Sequence, residues 1–477
     1  MSVTETPPPA WHSGDTRRPQ DMAEPSTHTT FTLTAQIRGS DTDHPLNLRM
    51  PNVMRRSRMS IESPTESADV IVVGAGPGGS SAAIHLAKAG LSVLLLEKSE
   101  FPREKICGDG LTPRAVREVA SLGIDVTKLD WKRTRGLRIH AGKAHYLMPW
   151  PEMVDFPAFG MTVRRSVFDQ YLAEEAIRCG VRLSTSTTVT TPILKHNHIV
   201  GVVSKDGRSF EAPVVVGADG NSARLEIAMG MHRIESRHVG VASRAYFRSP
   251  MADEDWLDSY LELWDGPVGT SHLLPGYGWS FPLGDGTCNV GMGLPNAAKY
   301  RDVDFRSLMS RWLGTMPEGW GLTEENRQGP IRSAALPMGF NRKPAYCRGL
   351  LSVGDAIGAI NPFTGEGISY AMESGRFAAE QIVQAHARGF RTRSAEKALA
   401  GYARRLSEEW GAYFWFGGVF GKIIAHPAIM RFAAHYGLPI PVVRRFTHRL
   451  LSHLADRPSR DGYDTVINFF SAIVPKA

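Results

Sequence analysis

Six residues, Gly74-Ala-Gly76-Pro-Gly-Gly79, constrain this 477-residue chain more than any others. They follow a short apolar strand, Asp69-Val-Ile-Val-Val73, and lead into a helix with apolar positions at Ala82, Ala83, Leu86 and Ala87. A second apolar strand, Val93 to Leu96, ends on Glu97. Gly74 allows a tight turn off the strand, Gly76 lets the backbone approach a pyrophosphate, and Gly79 permits close helix–strand packing. The helix N-terminus offers free N–H groups and positive dipole to phosphate. Glu97 stands where a carboxylate accepts from a ribose hydroxyl. Glycines at this spacing alone would suit any turn; with strand, helix and acidic residue in register they describe a dinucleotide site. A cysteine follows at once, in Lys105-Ile-Cys107-Gly-Asp109-Gly.

Composition excludes some functions. The formal charge of +7 suits an anionic partner such as a diphosphate or a membrane surface. No basic run interleaved with stacking aromatics points to nucleic acid. The four cysteines, Cys107, Cys179, Cys288 and Cys347, form no CxxC pair, so neither a zinc site nor an iron–sulfur cluster is expected. Few cysteines in a long chain suit a reducing cytosol. No apolar run is long enough to span a bilayer, and no signal peptide is present. The expectation is a cytoplasmic protein, free or resting on the inner face of the cell membrane.

The first 66 residues are rich in Pro, Ser, Thr, Asp and His and read as a disordered extension. Arg55-Arg-Ser-Arg58 lacks the apolar segment of a twin-arginine signal and reads as a solvated charge cluster. Met59 is a natural start for the folded part, or else the extension is dispensable. From Asp69 to about residue 235 strands and helices alternate, as a doubly wound sheet requires. Arg164 to Ile177 is helical; Val181 to Thr191 and His198 to Val203 read as strands, the latter ending at a Lys205–Arg208 hairpin turn. Glycine-rich aromatic strands follow, then a buried strand at Gly349–Val353 and a long helix from Ile368. Beyond residue 401 the chain is helical, with Trp410, Tyr413, Phe414, Trp415, Phe416 and Phe420 clustered ahead of Arg444, Arg445, His448 and Arg449. Such a segment either lies in a membrane interface or caps the second lobe's core.

Three segments turn the dinucleotide fold into a flavin fold. Gly217-Ala-Asp219-Gly220 ends one strand, and Gly354-Asp355 ends another, where a carboxylate accepts a ribityl hydroxyl. Asn361-Pro362-Phe-Thr-Gly365-Glu-Gly367 leads into the helix at Ile368, an anion-stabilising arrangement suited to the pyrimidine edge of reduced flavin.

With these residues in place the chain resembles the geranylgeranyl reductase family of FAD proteins, within the para-hydroxybenzoate hydroxylase-like fold, and is most similar to its actinobacterial menaquinone reductases. The resemblance rests on the GxGxxG with Glu97, on Phe101-Pro-Arg103-Glu-Lys105-Ile-Cys107-Gly-Asp-Gly-Leu-Thr-Pro-Arg114, on Gly354-Asp355, and on Pro275-Gly-Tyr277-Gly-Trp279-Ser-Phe281-Pro282 followed by Gly291-Met-Gly293. The last matches the family's YxWxFP…GxG pattern, which lines the cavity where a prenyl chain meets the flavin. From the residues alone, alternating aromatics on a strand would read as core. The resemblance implies that Gly74, Gly76, Gly79, Glu97, Arg103, Arg165, Asp355, Pro362, Gly365 and Gly367 contact FAD. It places Cys107 near the isoalloxazine ring, with Tyr277 and Trp279 at the reacting alkene.

The expected fold is α/β: a Rossmann-type FAD-binding domain (67–235 and 335–400), an inserted mixed or antiparallel sheet domain for substrate (236–334) and a helical C-terminal region (401–477). The expected reaction saturates carbon–carbon double bonds of a prenyl chain on menaquinone or a geranylgeranyl lipid. Hydride comes from reduced flavin and a proton from Cys107, Tyr277 or water. No second dinucleotide fingerprint appears, so NAD(P)H or a redox protein would bind transiently as electron donor. Two other readings compete. A flavin monooxygenase shares the flavin motifs, although a halogenase would show Trp-x-Trp-x-Ile-Pro where this chain has Gly278-Trp279-Ser-Phe281-Pro282. A membrane flavin electron carrier would usually add clustered cysteines.

Overall fold

The computed structural model describes residues 66–235, 237, 239–295, 303–424 and 426–473. The expectations about the N-terminal extension and Met59 fall outside the described residues, Glu66 excepted.

The first half contributes β1 (Val70–Val73), α1 (Pro77–Lys88), β2 (Val93–Leu96), α2 (Pro113–Ser121), β3 (Gly136–Ala141), β4 (Ala144–Pro149), α3 (Arg165–Arg178), β5 (Arg182–Ser184) and β6 (Val214–Gly217). Then come β7 (Val239–Arg248), β8 (Trp256–Tyr260), β9 (Tyr277–Pro282), β10 (Thr287–Leu294), α4 (Phe305–Leu313) and β11 (Arg327–Pro337). The chain closes with β12 (Tyr346–Cys347), β13 (Leu350–Ser352), α5 (Ile368–Ala387), α6 (Arg393–Ile424), α7 (Pro427–Phe432), α8 (Pro441–Leu451) and α9 (Gly462–Ile473).

One sheet has the order β12-β13-β6-β1-β2-β5, parallel except for the edge strand β12. Its strands are short continuous apolar runs because both faces are covered: β1, β2 and β6 are buried throughout. Helices α1 and α5 pack on each other over one face, and α6 lies against α5. Two glycines make the first crossover possible. Gly74 has φ +105°, and a Cβ there would lie 2.3 Å from the Ala218 carbonyl oxygen. At Gly79 a Cβ would lie 1.9 Å from the Gly74 carbonyl oxygen, so α1 can reach the turn only without a side chain.

The second sheet, β11-β7-β10-β9-β8-β3-β4, is antiparallel except where β8 runs parallel to β3. It takes β3 and β4 from residues 136–149, well ahead of its other strands in sequence. Its own core gathers Phe247, Val290, Met292 and, from α4, Leu308 and Trp312. The single strand expected over Val181–Thr191 is two: β5 joins the parallel sheet, whereas Val189–Lys195 pairs with His198–Ser204 in a separate sheet. Ser186 at φ +50° and the bond from Thr187 N to Glu97 O (2.8 Å) turn the chain between them. The hairpin after His198–Ser204 does return, onto Ser209–Glu211.

In the helical C-terminal region, Trp410, Tyr413 and Phe414 are buried against Tyr370, Phe377 and Phe340 of the first lobe. They cap the cofactor-binding core rather than that of the second lobe. Sequence alone could not choose between these faces, because α6 is apolar around most of its circumference there.

Candidate functional site

A cavity of 1130 Å³ runs from the carboxyl ends of β1 and β6, beneath β9 and β10, to helices α6–α8. Twelve of the thirteen residues singled out above line it: Gly74, Gly76, Glu97, Arg103, Cys107, Arg165, Tyr277, Trp279, Asp355, Pro362, Gly365 and Gly367. Gly79 does not; it is spent on packing α1 against the turn.

At the turn, Glu97 Oε2 accepts from Ala75 N (2.9 Å), and Oε1 accepts from Ser99 N (3.1 Å). Arg103 reaches Ala75 O with one terminal nitrogen (3.2 Å) and Asp169 Oδ2 with the other (3.0 Å). Asp169 is fully buried and takes Arg165 in a bidentate pair at 2.7 and 2.8 Å. One carboxylate thus fixes two cavity cations, a role the Arg-x-x-Phe-Asp spacing (i, i+4 on α3) left unassigned.

The residues present fit an adenine dinucleotide. A side chain at Gly76 would meet only Arg103, at 3.7 Å, so the backbone there is open to the cavity. The α1 N-terminus has no side-chain cap. Arg103 Nε lies 3.5 Å from Glu97 Oε2 without hydrogen-bond geometry, and buried Asp219 Oδ1 has no partner among the described residues. Uncapped donors and unpaired polar atoms at one end of a cavity are what a diphosphate and ribose satisfy. Asp355 lies farther along, 3.6 Å from Lys105 Nζ. The 361–367 loop leads into α5 through Gly367, and Glu366 accepts from Ser369 N (2.8 Å) in the first turn of that helix.

Cys107 sits on a loop clamped from beneath. Asn289 on β10 donates to Cys107 O and to Asp109 Oδ2, both at 2.8 Å, and accepts from Trp279 Nε1 at 2.9 Å. Asp109 is fully buried at φ +63° and also accepts from Tyr246 Oη (2.8 Å) and Arg165 N (3.2 Å). Burial pushes the Cys107 thiol above its usual value against the opposing pull of Arg165, so the sulfur stays protonated. Burial also pushes the Tyr277 phenol up to about 12, and its hydroxyl donates to Thr364 O at 2.6 Å. Trp279 and Phe281 face the Gly108 backbone, where a Cβ would lie 3.6 Å from the indole nitrogen and 3.3 Å from the phenyl ring. The aromatic strand is therefore both core and wall. Asn289 was missed in the sequence, although an amide inside the run Thr287-Cys-Asn-Val-Gly-Met is the signal that would have found it.

Beyond the aromatics the lining turns apolar: Leu137, Ile139, Met148 and Leu257 from the sheet, then Phe420, Met430, Leu438 and Leu451 from the C-terminal helices. Among the described residues no group of His, Cys, Asp and Glu could hold a metal ion.

Comparisons with known proteins agree with this geometry. The FAD binding domain family matches residues 67–270. The menaquinone reductase of Mycolicibacterium smegmatis is 41% identical over 66% of this chain and 76% of its own length. Digeranylgeranylglycerophospholipid reductase 1 of Methanothermobacter thermautotrophicus is 30% identical, over 72% and 83%. Among solved structures, a geranylgeranyl bacteriochlorophyll reductase-like protein of Thermoplasma acidophilum superposes with TM-score 0.65 at 25% identity, covering 76% of this chain and 89% of that one. A flavin-dependent brominase (TM-score 0.64, 22% identity, 84% and 98%) shares the fold alone. An uncapped dinucleotide turn, the flavin loops and these relatives lead to one conclusion: the chain belongs to the geranylgeranyl reductase family of FAD-dependent oxidoreductases.

Proposed function

We propose that this protein saturates double bonds in the prenyl tail of a quinone of the menaquinone type, a geranylgeranyl lipid being the second choice. The observation that carries the reading is a single cavity that begins at the dinucleotide turn, passes Cys107, Tyr277 and Trp279, and ends among apolar side chains. Only a long apolar ligand uses that far end. The relatives' names support the substrate class: a menaquinone reductase at 41% identity and a digeranylgeranylglycerophospholipid reductase at 30%.

FAD supplies the two-electron hydride chemistry, and the chain supplies the rest. Gly74, Gly76, Glu97, Arg103, Arg165 and Asp355, with the Pro362–Gly367 loop, hold the cofactor. Trp279 and Phe281 exclude water from the alkene. The proton for the second carbon comes from the protonated Cys107 thiol or from a water it orders, since the Tyr277 hydroxyl is committed to Thr364 O. Electrons arrive from NAD(P)H or a redox protein bound transiently. A lipid substrate brings a cytoplasmic enzyme to the inner membrane face. A monooxygenase of the same fold would need the reduced flavin open to oxygen and a small polar substrate, which the apolar far end does not favour. Anaerobic incubation of reduced enzyme with menaquinone and with geranylgeranyl diphosphate, read by mass, tests the reading. A gain of two hydrogens that survives reoxidation of the quinone ring in air supports it, and an added oxygen under air supports a monooxygenase.

A further inference from the structure

Of the sixteen large apolar side chains that stand exposed among the described residues, seven lie between Val419 and Val443. Phe432, Tyr436 and Val442 are each more than 60% exposed. The rings of Phe432 and Tyr436 lie 4.8 Å apart, so they form one patch rather than scattered points. The patch is continuous with the cavity: Val419 and Val443 are 42% and 39% exposed and both line it, with exposed His426 and Ala433 between them. The opening of an apolar cavity is thus rimmed by apolar side chains turned to solvent.

Charge narrows the occupant. From Trp410 to Ala455 the sequence holds no Asp or Glu, against Lys422, Arg431, Arg444, Arg445 and Arg449. Arg431 and Arg445 are exposed; Arg431 lies 4.0 Å from Glu262 and 5.9 Å from the centre of the Trp264 ring, whereas Arg449 is paired with Asp461 and Asp464 and Arg444 donates to Leu438 O. Apolar tips beside the exposed Arg431 and Arg445, in a stretch of sequence without a carboxylate, fit an anionic bilayer surface, where the tips enter the acyl boundary and the guanidinium groups meet phosphate. No helix among the described residues is long and apolar enough to cross a membrane, so contact is by resting on it.

We propose that the rim formed by Val419, Phe432, Tyr436, Ile440, Val442 and Val443 is the bilayer-docking face of this protein, seated on anionic lipid so that a substrate's chain passes from membrane to cavity without crossing water. The proposal rests on the lipid-substrate reading above and adds the partner and the route to it. Sedimentation of the full chain with FAD bound tests it. The probes are vesicles of phosphatidylcholine alone and vesicles containing roughly one third phosphatidylglycerol. The wild type should sediment with the anionic vesicles and weakly with the neutral ones. The variant Phe432→Ser/Tyr436→Ser/Val442→Ser should bind at least tenfold more weakly with unchanged flavin content and melting temperature. Arg445→Gln should weaken binding to the anionic vesicles alone, by roughly fivefold. A wild type that ignores anionic vesicles, binds both kinds equally, or instead self-associates through the patch overturns the proposal, as does a triple variant that binds like the wild type. No substrate is present in this assay. An enzyme that docks but reduces no prenyl chain therefore sinks only the functional reading, and one that reduces detergent-dispersed substrate but never docks sinks only this one.

Discussion

The Tyr277 hydroxyl donates to the carbonyl oxygen of Thr364 at 2.6 Å, tying β9 of the second sheet to the loop ahead of α5. The residues that would face an alkene are thereby held in register with those that would face the flavin. Tyr277→Phe removes this one bond and leaves the ring. With a net hydrogen bond near 1–1.5 kcal/mol, kcat/KM for prenyl reduction should fall roughly tenfold. Flavin content should be unchanged. Wild-type turnover would reduce Tyr277 to a packing role.

Asn289 satisfies three partners at once: Trp279, Cys107 O and Asp109. Asn289→Leu orphans a buried indole N–H and removes a donor from a buried carboxylate. A stability loss of about 2–4 kcal/mol is expected, measured by denaturant titration, with flavin release at lower denaturant than in the wild type. An unchanged midpoint would show that the clamp contributes no stability.

Gly76 opens to the cavity rather than to packed backbone, the nearest atom to an added Cβ being Arg103 at 3.7 Å. Gly76→Ala should therefore fold with an apoprotein melting temperature close to the wild type, yet bind FAD at least tenfold more weakly. Gly74→Ala should fail to fold, because its Cβ would lie 2.3 Å from backbone. Equal flavin affinity in wild type and Gly76→Ala would remove the pyrophosphate from this turn.

Glu226 is fully buried beside Asp219, with neither oxygen partnered among the described residues. Burial, with the neighbouring carboxyl, pushes its pKa from 4.5 to about 8. The unfolded chain ionises near 4.5 and the folded one near 8, so stability falls as pH rises through that window and levels off above it. Glu226→Gln should flatten the profile and exceed the wild type by roughly 4 kcal/mol at pH 8. The two proteins should converge near pH 4.5. Parallel melting profiles across this range would contradict the assignment.

How far the sequence reached follows from what each residue needed. Gly74, Glu97 and the Gly365–Gly367 loop could be placed on the cavity wall because each sits in a local turn whose geometry the residue types dictate. Cys107 and Arg165 were placed by motif, and they meet in the cavity through Asp169 and Asp109, whose roles depend on contacts between distant segments. Asn289 pairs across strands and across lobes, and no local period carries that. The division of Val181–Thr191 between two sheets turns on Ser186 adopting a left-handed conformation, which its residue type does not announce. The C-terminal aromatics obeyed a helical period, yet the period could not say which lobe they would cover. Nor could it mark Phe432 and Tyr436 as the ones left outside.

A prenyl reductase reduces the tail rather than the quinone ring, and one experiment separates the two. Enzyme with reduced FAD is mixed anaerobically with menaquinone, quenched, and exposed to air so that any quinol returns to quinone before mass analysis. Flavin reoxidation is expected on mixing, with a product that keeps two added hydrogens, located in the prenyl chain by fragmentation, after air has restored the ring. Flavin reoxidation with recovery of unchanged menaquinone would contradict it, leaving a quinone-linked electron carrier in place of a prenyl reductase.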